Sequence, residues 1–431
     1  MSERVVRIGQ LGCGIVGSGV LRMLHANGAD IEERIGARLE VAAVAVRSAS
    51  KKRDIPEAMQ PLLGADAQAI VDDPSIDVVV EVMGGIEPAR SLILAALRNG
   101  KRVVTANKEL VASLGKELFD AADAAGMDLR FEGAVGGGIP LIRPIKEGLA
   151  GDKVRKVMGI VNGTTNFILT RMSEEGLEFG EALAEAERLG YTELDPSADI
   201  EGFDPAAKCA ILASIAFNSR VVAGDVFREG IANVTATDIA FAKRLGYEVK
   251  LLAIAEEHDG TIAARVHPAM VPAEHPLASV RENLNAVFVE AERVGELMFY
   301  GRGAGGDPTA TSVVGDVCDA ARNVVRGAPG IGCTCYLDKP VRSMDESYSQ
   351  YYMLLEVADQ AGVLAGVADV FAKHNVSIRS VWQEGLGEGA HLVLITHRAQ
   401  ERDLQATLDS LGNLDAVTRI ASVMRVEGGE A

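Results

Sequence analysis

The stretch VVRIGQLGCGIVG, residues 5–17, decides the fold of the N-terminal third of the chain. It predicts a short buried strand over Val5–Leu11, then a glycine turn, then a helix with apolar residues at helical spacing. Glycines in this context allow a tight turn, close approach of the backbone to a pyrophosphate, and close packing of helix on strand. The predicted dinucleotide-binding residues of this turn are Gly12, Gly14, Ile15, Val16 and Gly17. A glycine turn with a purely structural use is the alternative.

Alternating strands and helices continue beyond this turn. The predicted strands span Arg38–Val46, Asp77–Val82 and Arg102–Thr105, with a predicted helix over Pro88–Arg98. This order is typical of a doubly wound parallel sheet, in which ligands bind at the carboxyl ends of the strands. Lys108 closely follows the strand over Arg102–Thr105, so we expect it at that edge, where it can approach a cofactor or a substrate. From position alone, an ordinary surface lysine is the alternative.

The end of the second predicted strand distinguishes NADP from NAD. An NAD site usually has an acidic residue there that binds the ribose 2′-hydroxyl group. This chain instead has Arg47 with no acidic residue beside it, and Lys51, Lys52 and Arg53 follow. We expect Lys52 and Arg53 to belong to a solvated loop. Arg47 favours NADP, because a guanidinium group can pair with the 2′-phosphate, and NAD is the alternative cofactor.

A loop between two helical patterns carries five acidic residues in YTELDPSADIEGFDP, residues 191–205. Its last two residues, Asp204 and Pro205, favour a helix start with Asp204 as the N-cap. The predicted helix over residues 206–217 places Lys208 on the same face as its apolar residues. A lysine on that face can act as a general acid towards a carbonyl oxygen. The alternatives are a lysine that extends to solvent and an i, i+4 ion pair with Asp204.

The C-terminal part of the chain has a different pattern, which follows a linker over residues 327–349. The predicted strands span Tyr351–Val357, Val376–Trp382, His391–His397 and Val417–Val426. One predicted helix ends near Asn375, and a second spans Asp403–Leu411. The order βαββαβ predicts a small antiparallel sheet with helices on one face.

Composition and charge exclude several classes of function. The 431 residues carry a net charge of −18, which argues against a nucleic-acid or anionic-membrane partner. No apolar run reaches the roughly 18 residues that span a bilayer, and the N terminus lacks the basic and apolar segments of a secretory leader. Five cysteines without zinc-site spacing favour reduced thiols and a cytoplasmic location. The close pair Cys333 and Cys335 can bind a metal, form a redox pair, or belong to an ordinary loop.

Several motifs that occur in order along residues 5–330 together resemble the homoserine dehydrogenase family. They are residues 12–17 (GCGIVG), 105–108 (TANK), 132–140 (EGAVGGGIP), 162–166 (NGTTN), 191–208 and 301–309 (GRGAGGDPT). The stretch over residues 191–208 is the most specific of them. The resemblance implies reversible NAD(P)H-dependent reduction of L-aspartate 4-semialdehyde to L-homoserine, in threonine and methionine biosynthesis.

The same resemblance implies roles for the acidic residues and the lysines. Glu193 and Asp204 are expected to bind the ammonium group of the substrate, with Asp199 as a further acid near it. Lys208 is expected to protonate the carbonyl oxygen as hydride arrives, which stabilises the developing alkoxide. Lys108 is expected to position substrate and cofactor.

A monovalent-cation site is also implied, in the glycine-rich segment that begins at Glu132. Its oxygen ligands, suited to a hard ion such as sodium, are expected to be the Glu132 side chain and the carbonyl groups of Val135, Gly137 and Ile139. A plain glycine-rich hinge is the alternative. The loop over residues 301–309, which contains Gly303, is expected to close over the cofactor.

The turn over residues 359–364 resembles the ACT domain, which binds amino acids at paired interfaces. It implies feedback control, with threonine as the expected effector and a homodimer or homotetramer as the assembly, whereas a domain that only dimerises is the alternative. The expected fold is α/β, with a Rossmann-like dinucleotide-binding domain over residues 1–139 completed by a returning helix over residues 308–326. An α+β catalytic and dimerisation domain over residues 140–307 and an ACT-like domain over residues 350–431 follow.

Three other interpretations fit less well. An amino-acid dehydrogenase of similar architecture should lack the paired lysines and the acidic loop. A catalytically silent NADP- and amino-acid-sensing protein should have lost Lys208 or Glu193, and both are present. A dehydrogenase that acts through a thiol would need Cys209, which lies about 100° around the helix from Lys208.

Overall fold

The chain folds into three successive regions, and the computed structural model describes residues 4–192, 195–385 and 390–429. The N-terminal region consists of β1 (Val5–Leu11), α1 (Ile15–Ala26), α2 (Gly28–Ile35), β2 (Arg38–Ala45), β3 (Leu63–Gly64), α3 (Ala67–Asp72), β4 (Val78–Glu81), α4 (Ala89–Arg98), β5 (Arg102–Thr105), α5 (Lys108–Ala125) and β6 (Leu129–Arg130). The middle region consists of β7 (Val154–Ile160), α6 (Gly163–Glu175), α7 (Phe179–Arg188), α8 (Ser197–Ile200), α9 (Phe203–Ala216), β8 (Phe227–Arg228), α10 (Ala236–Arg244), β9 (Tyr247–His258), β10 (Thr261–Pro272), β11 (Leu284–Ala291), β12 (Gly295–Arg302) and α11 (Gly306–Arg326). The C-terminal region consists of β13 (Tyr348–Val357), α12 (Val363–Lys373), β14 (Ile378–Glu384), β15 (His391–Thr396), β16 (Ala399–Gln400), α13 (Glu401–Gly412) and β17 (Val417–Val426).

A parallel sheet forms the N-terminal region, in the strand order β3-β2-β1-β4-β5-β6. Its strands are apolar on both faces because helices cover both. In β4, Val78 and Val80 belong to one core, Val79 belongs to the other, and all three are fully buried. The strand order reverses between β1 and β4, which leaves a crevice at their carboxyl ends. The predicted doubly wound, Rossmann-like sheet is confirmed.

Helix α11 returns from the middle region and packs on the N-terminal sheet. Val313, Val317 and Ala320 are fully buried in the core that β1 and β4 form on that face. A polar contact fixes the same helix, because the backbone N–H of Glu132 donates to the Asp316 carboxylate at 2.7 Å. The sheet is thus completed by a helix from a distant part of the sequence.

The middle region contains the antiparallel strands β12-β11-β7-β9-β10, with helices packed on one face. Helix α9 lies between this sheet and α5 of the N-terminal region. Because α9 is covered on nearly every side, 11 of its 14 residues are buried, Lys208 among them. Its polar residues therefore lie at the boundary between the two regions.

The start of α9 differs from the predicted one. The helix begins at Phe203 and Gly202 is its N-cap, so the prediction that Asp204 caps the helix was wrong. Gly202 has a φ of 84°, a left-handed conformation that glycine adopts without strain. The Asp204 carboxylate accepts hydrogen bonds from other side chains instead of from helix N–H groups.

The C-terminal region has the antiparallel strand order β17-β13-β15-β14, with α12 and α13 packed on one face. This arrangement confirms the predicted βαββαβ fold, although β13 begins at Tyr348 rather than at Tyr351. Strand β17 also pairs in parallel with β10, Ala269 opposite Arg425 and Met270 opposite Val426. The sheet therefore continues from the middle region into the C-terminal region, which the sequence did not predict. None of the helices in the described part of the chain is long and apolar enough to cross a bilayer.

Buried ion pairs accompany this junction between β10 and β17. The Arg265 side chain is only 1% exposed and donates to Glu256 and to Glu427, at 2.8 Å in each case. The Arg425 side chain donates to Glu401 of α13 at 2.8 Å and to Glu229 of the middle region at 2.7 Å. Loss of one partner of a buried pair leaves the other charge uncompensated in a poorly solvated place.

We expect Arg265→Met to destabilise the chain by about 3–5 kcal/mol, because the buried Glu427 carboxylate loses its main partner. The measurement is denaturant unfolding followed by the fluorescence of Trp382, the single tryptophan, which lies in the C-terminal sheet. Arg419→Met is the matched control, since the Arg419 side chain pairs with Glu356 at the surface and is 66% exposed. Equal shifts of the unfolding midpoint in the two variants would contradict this account of the junction.

Candidate active site

The glycine turn between β1 and α1 cannot accommodate side chains at two of its positions. Gly12 has a φ of 99°, and a Cβ atom there would lie 2.7 Å from the carbonyl oxygen of Val82. A Cβ atom at Gly17 would lie 2.6 Å from the carbonyl oxygen of Gly12. The Gln10 side chain, which the sequence analysis did not single out, donates to the carbonyl groups of Gly12 at 2.8 Å and Gly17 at 3.1 Å. The Gln10 side chain, which comes from β1, thus fixes the conformation of the turn.

The N terminus of α1 is open to a ligand. Gly14 is the N-cap and is exposed, and Ile15, the first helical residue, is 80% exposed. The backbone N–H groups of Ile15 and Val16 belong to the first turn, where no intrahelical acceptor exists. Free N–H groups and the positive end of the helix dipole suit a pyrophosphate, so the residues present fit a dinucleotide.

The N terminus of α11 lies against this same turn. A Cβ atom at Gly306, the first residue of α11, would lie 2.7 Å from the side chain of Ile15. Gly303 lies just before it, where a Cβ atom would overlap the side chain of Asn285, and the backbone of Gly303 packs on Gly137. The loop predicted to close over the cofactor therefore lies beside the dinucleotide turn.

The basic residues after β2 do not all behave as predicted. Arg47 is exposed, and its side chain makes no hydrogen bond or ion pair within the described residues. The loop over residues 47–54 is largely exposed, as predicted, but the half-exposed Arg53 side chain donates to the carbonyl groups of Cys13 at 3.2 Å, Ser48 at 2.9 Å and Lys51 at 2.8 Å. Arg53 folds back since these carbonyl groups converge beside the glycine turn. The Arg53 side chain thus holds the loop that contains Arg47 next to the glycine turn.

A carboxylate and two lysines meet where α5 and α9 face each other. Asp204 accepts hydrogen bonds from Lys108, the first residue of α5, and from Lys208, one turn along α9, the latter at 2.7 Å. Lys208 also donates to the carbonyl group of Val161 at 2.7 Å. The side chains of Asp204 and Lys208 are 6% and 10% exposed, whereas that of Lys108 is 45% exposed. The i, i+4 pair that the sequence analysis left open is thus formed, and the lysine does not extend to solvent.

The charges in this cluster shift each other's protonation equilibria. Burial raises the pKa of the Asp204 carboxyl, but the ammonium groups of Lys208 and Lys108 outweigh burial, and the pKa lies well below its usual range. Burial lowers the pKa of Lys208, and repulsion from Lys108 lowers it further, against the attraction of Asp204. Lys208 is therefore a stronger acid than a lysine in water, held beside a carboxylate that stays ionised.

Asn162 connects this cluster to a further acid. Its side-chain NH₂ group donates to Asp204 at 2.8 Å and to Asp199 at 2.6 Å. Its side-chain oxygen accepts from the backbone N–H of Thr165, so Asn162 is also the N-cap of α6. The sequence analysis gave Asn162 no role, although an asparagine between an apolar strand and a helix is a signal for an N-cap. Burial raises the pKa of Asp199, and Glu193 lies outside the described residues.

The segment from Glu132 was predicted to bind a cation. The Glu132 carboxylate accepts hydrogen bonds from the backbone N–H groups of Leu141 at 2.5 Å, Ile142 at 2.8 Å and Arg143 at 3.0 Å. The carbonyl group of Gly137 accepts from the Ser312 hydroxyl at 2.6 Å. The fit to a cation is therefore poor for the Glu132 side chain, which already caps the next helical turn. The carbonyl groups of Val135, Gly137 and Ile139 stay a prediction, and no cluster of three metal-binding side chains occurs among the described residues.

Three family profiles match the chain in the order of its regions. The profile described as the NAD-binding domain of homoserine dehydrogenase matches residues 12–132, that of homoserine dehydrogenase matches residues 140–318, and that of the ACT domain matches residues 351–416. The matches fall on the parallel sheet, on the region that carries α9, and on the C-terminal sheet.

Similar proteins cover the whole chain. A homoserine dehydrogenase of Corynebacterium glutamicum is 50% identical over 98% of this chain and 96% of its own length. The crystal structure of a homoserine dehydrogenase from Thiobacillus denitrificans has 39% identity and a TM-score of 0.92, and the match covers 99% of both chains. A hyperthermophilic archaeal homoserine dehydrogenase solved in complex with NADPH has 28% identity and a TM-score of 0.64, over 76% of this chain and 99% of that one. With Lys108 at the edge of the dinucleotide-binding sheet and Lys208 facing it from α9, the chain belongs to the homoserine dehydrogenase family of NAD(P)-dependent oxidoreductases and carries an ACT domain.

Proposed function

We propose that the chain catalyses the reversible reduction of L-aspartate 4-semialdehyde to L-homoserine, a step towards threonine and methionine. The observation that carries the proposal is the Lys108–Asp204–Lys208 cluster, in which a buried lysine with a lowered pKa lies at the boundary between the dinucleotide-binding region and the middle region. An aldehyde is reduced when a hydride reaches its carbon and a proton reaches its oxygen. The nicotinamide of the bound cofactor supplies the hydride, and the chain must supply the proton.

Lys208 is the proposed proton donor. An ammonium group has three N–H donors, and among the described residues two of them bond to Asp204 and to the carbonyl group of Val161. The third is available to the aldehyde oxygen. Because two bonds fix the direction of the third and burial lowers the pKa, the proton is both aimed and easily released.

Asp204 is proposed to hold the lysines rather than to grip the substrate. One of its oxygens accepts from Lys108, and the other accepts from Lys208 and Asn162, so both are already used. The substrate ammonium group is then left to Glu193 and to Asp199, whose carboxylate is half-buried beside Asn162. A cation bound there would offset the burial that raises the Asp199 pKa.

NADP is the proposed cofactor. Arg47 is exposed at the end of β2, where a 2′-phosphate would lie, and Arg53 keeps the loop that carries Arg47 against the glycine turn. The archaeal relative solved with NADPH supports the same choice.

An amino-acid effector, with threonine as the candidate, is proposed for the C-terminal region. The ACT profile covers it, and α12 starts after Gly362, whose φ of 93° is the left-handed conformation of a glycine turn. We also propose a homodimer or homotetramer, because β12 and β14 lie at the two ends of the long sheet and exposed strand edges favour pairing.

Lys208→Met should lower kcat for semialdehyde reduction by about 10²–10⁴-fold, the usual contribution of a general acid. The NADPH dissociation constant, measured by fluorescence titration, should stay within about twofold because Lys208 contacts neither helix N terminus of the dinucleotide turn. Lys116→Met, on the exposed face of α5, is the control. A kcat equal to that of the unsubstituted chain would remove Lys208 from the mechanism.

The direction in which kcat changes with pH also tests Lys208 as the proton donor. Lys208 must be protonated to reduce the aldehyde, so kcat should fall as pH rises through its pKa, which lies below the ordinary value near 10.4. Lys108→Gln removes a repelling charge, raises the Lys208 pKa, and should move this alkaline limb to higher pH. The pH profile of Lys116→Gln should coincide with that of the unsubstituted chain, and a limb that stays in place in Lys108→Gln would argue against the coupling.

Arg47→Ala should weaken NADPH binding by about 10- to 100-fold, the effect of one charge-assisted hydrogen bond. NADH binding should change little, since NADH has no 2′-phosphate. Titration of both cofactors against Arg47→Ala and against Lys52→Ala, an exposed neighbour, gives the comparison. Equal weakening of NADPH and NADH would refute the assignment.

A further inference from the structure

A cavity lies directly behind the active-site cluster, between α5 and α9. It is open on one side, has a volume of about 60 Å³, and is lined by Val111 and Phe119 of α5 and by Ile211 and Ile215 of α9. Val111 lies one turn beyond Lys108 and Ile211 one turn beyond Lys208. The cavity therefore lies between α5 and α9, the same two helices that the Lys108–Asp204 ion pair connects.

The segment after α11 contributes two thiols to the lining of this cavity. Cys333, Thr334 and Cys335 form part of the lining, and both thiols are half-buried. The backbone N–H of Cys333 donates to Asp123 of α5 at 3.3 Å, and the Cys335 thiol lies 3.6 Å from the carbonyl oxygen of Ser214 of α9. One short segment is thus bonded to both helices.

The two thiols are not equivalent. The Cys335 backbone N–H points back to the Cys333 sulfur at 3.4 Å, so the segment bends and brings the residues together. The adjacent Cys335 side chain and its backbone N–H group, together with the nearby Arg220, lower the pKa of Cys333, while the Cys333 sulfur and burial raise the pKa of Cys335. Cys333 is thus the more nucleophilic thiol of the pair, and Cys335 remains protonated beside it.

The other three cysteines are poor nucleophiles by contrast. Cys209 is 1% exposed, and burial raises its pKa to about 12. Burial also raises the pKa of Cys318, and Cys13 is buried with its sulfur against the Ser18 hydroxyl. Since the thiolate is the reactive form, chemistry at sulfur should select Cys333.

We propose that Cys333 and Cys335 form a thiol-modification site that takes low-molecular-weight disulfides and controls the enzyme by closing to a disulfide. The Cys333 thiolate attacks one sulfur of the small disulfide, forms a mixed disulfide and releases one thiolate. Cys335 then loses its proton and attacks the Cys333 sulfur, which forms the Cys333–Cys335 bond and releases the second small thiolate. The protein loses two electrons and the small disulfide gains them, and the two released thiolates carry the protons away as thiols.

Formation of the Cys333–Cys335 disulfide affects the active site through α5 and α9, the helices that the segment contacts. A disulfide holds its sulfurs about 2.05 Å apart, which removes the Cys335 thiol from the carbonyl group of Ser214 and reshapes the segment bonded to Asp123. The contact between α5 and α9 changes, and with it the placement of Lys108 against Asp204 and Lys208. Displacements of this kind lower turnover without removing any group that touches the substrate.

The experiment treats the reduced full-length chain with glutathione disulfide, traps free thiols with N-ethylmaleimide, and measures intact mass, tryptic peptides and kcat. We expect loss of two free thiols without retained glutathione, a mass decrease of two hydrogens in the tryptic peptide over residues 327–342, and a fall in kcat of about tenfold. Dithiothreitol should restore both the two free thiols and the original kcat.

Three variants separate the steps. Cys333→Ser should not react, Cys335→Ser should keep one glutathione on Cys333, and Cys318→Ser, the matched control, should react like the unsubstituted chain. Reaction at other cysteines, a Cys335→Ser variant that keeps no adduct, or a disulfide that leaves kcat unchanged would each overturn the proposal. Only the effect on kcat rests on the proposed reaction, because the mass measurements are independent of dehydrogenase activity.

Discussion

The burial of an ammonium group at Lys208 is the constraint on which the active site depends. An ion of this size loses several kcal/mol of hydration when it is buried, and only an opposite charge with further hydrogen bonds compensates for that loss. Asp204 supplies the charge, and the carbonyl group of Val161 supplies a second acceptor. Because Lys108 shares the same carboxylate, the cluster keeps a net positive charge that favours release of a proton from Lys208.

The rest of the fold serves to bring these groups together. Lys108 comes from the first residue of α5, shortly after a parallel strand, Asp204 and Lys208 come from a helix enclosed on nearly all sides, and Asn162 comes from the cap of another helix. Lys108, Asn162 and Asp204 lie at the starts of helices, and Lys208 lies one turn further along α9. The return of α11 then places its first residue, Gly306, against Ile15 of the glycine turn, with the loop around Gly303 just before it.

Much of this arrangement could be predicted from the sequence, and the exceptions have a common cause. The glycines at 12 and 17, the apolar strands and the inward face at Lys208 follow from local spacing and short-range geometry. The partners of Asp204 and Asn162, the inward fold of Arg53 and the pairing of β17 with β10 depend on contacts between residues far apart in the sequence. Local pattern determines where an element forms but does not show which distant carbonyl or carboxylate a polar side chain meets.

The pairing of β10 with the last strand of the chain has a consequence for biosynthesis. A ribosome completes the N-terminal sheet and the middle region before β17 has been made, so Ala269 and Met270 of β10 at first have an unpaired edge. Unpaired edges of folded intermediates are the places where nascent chains associate wrongly. A chain that terminated before β17, at residue 417, would therefore leave this edge of β10 without its partner strand.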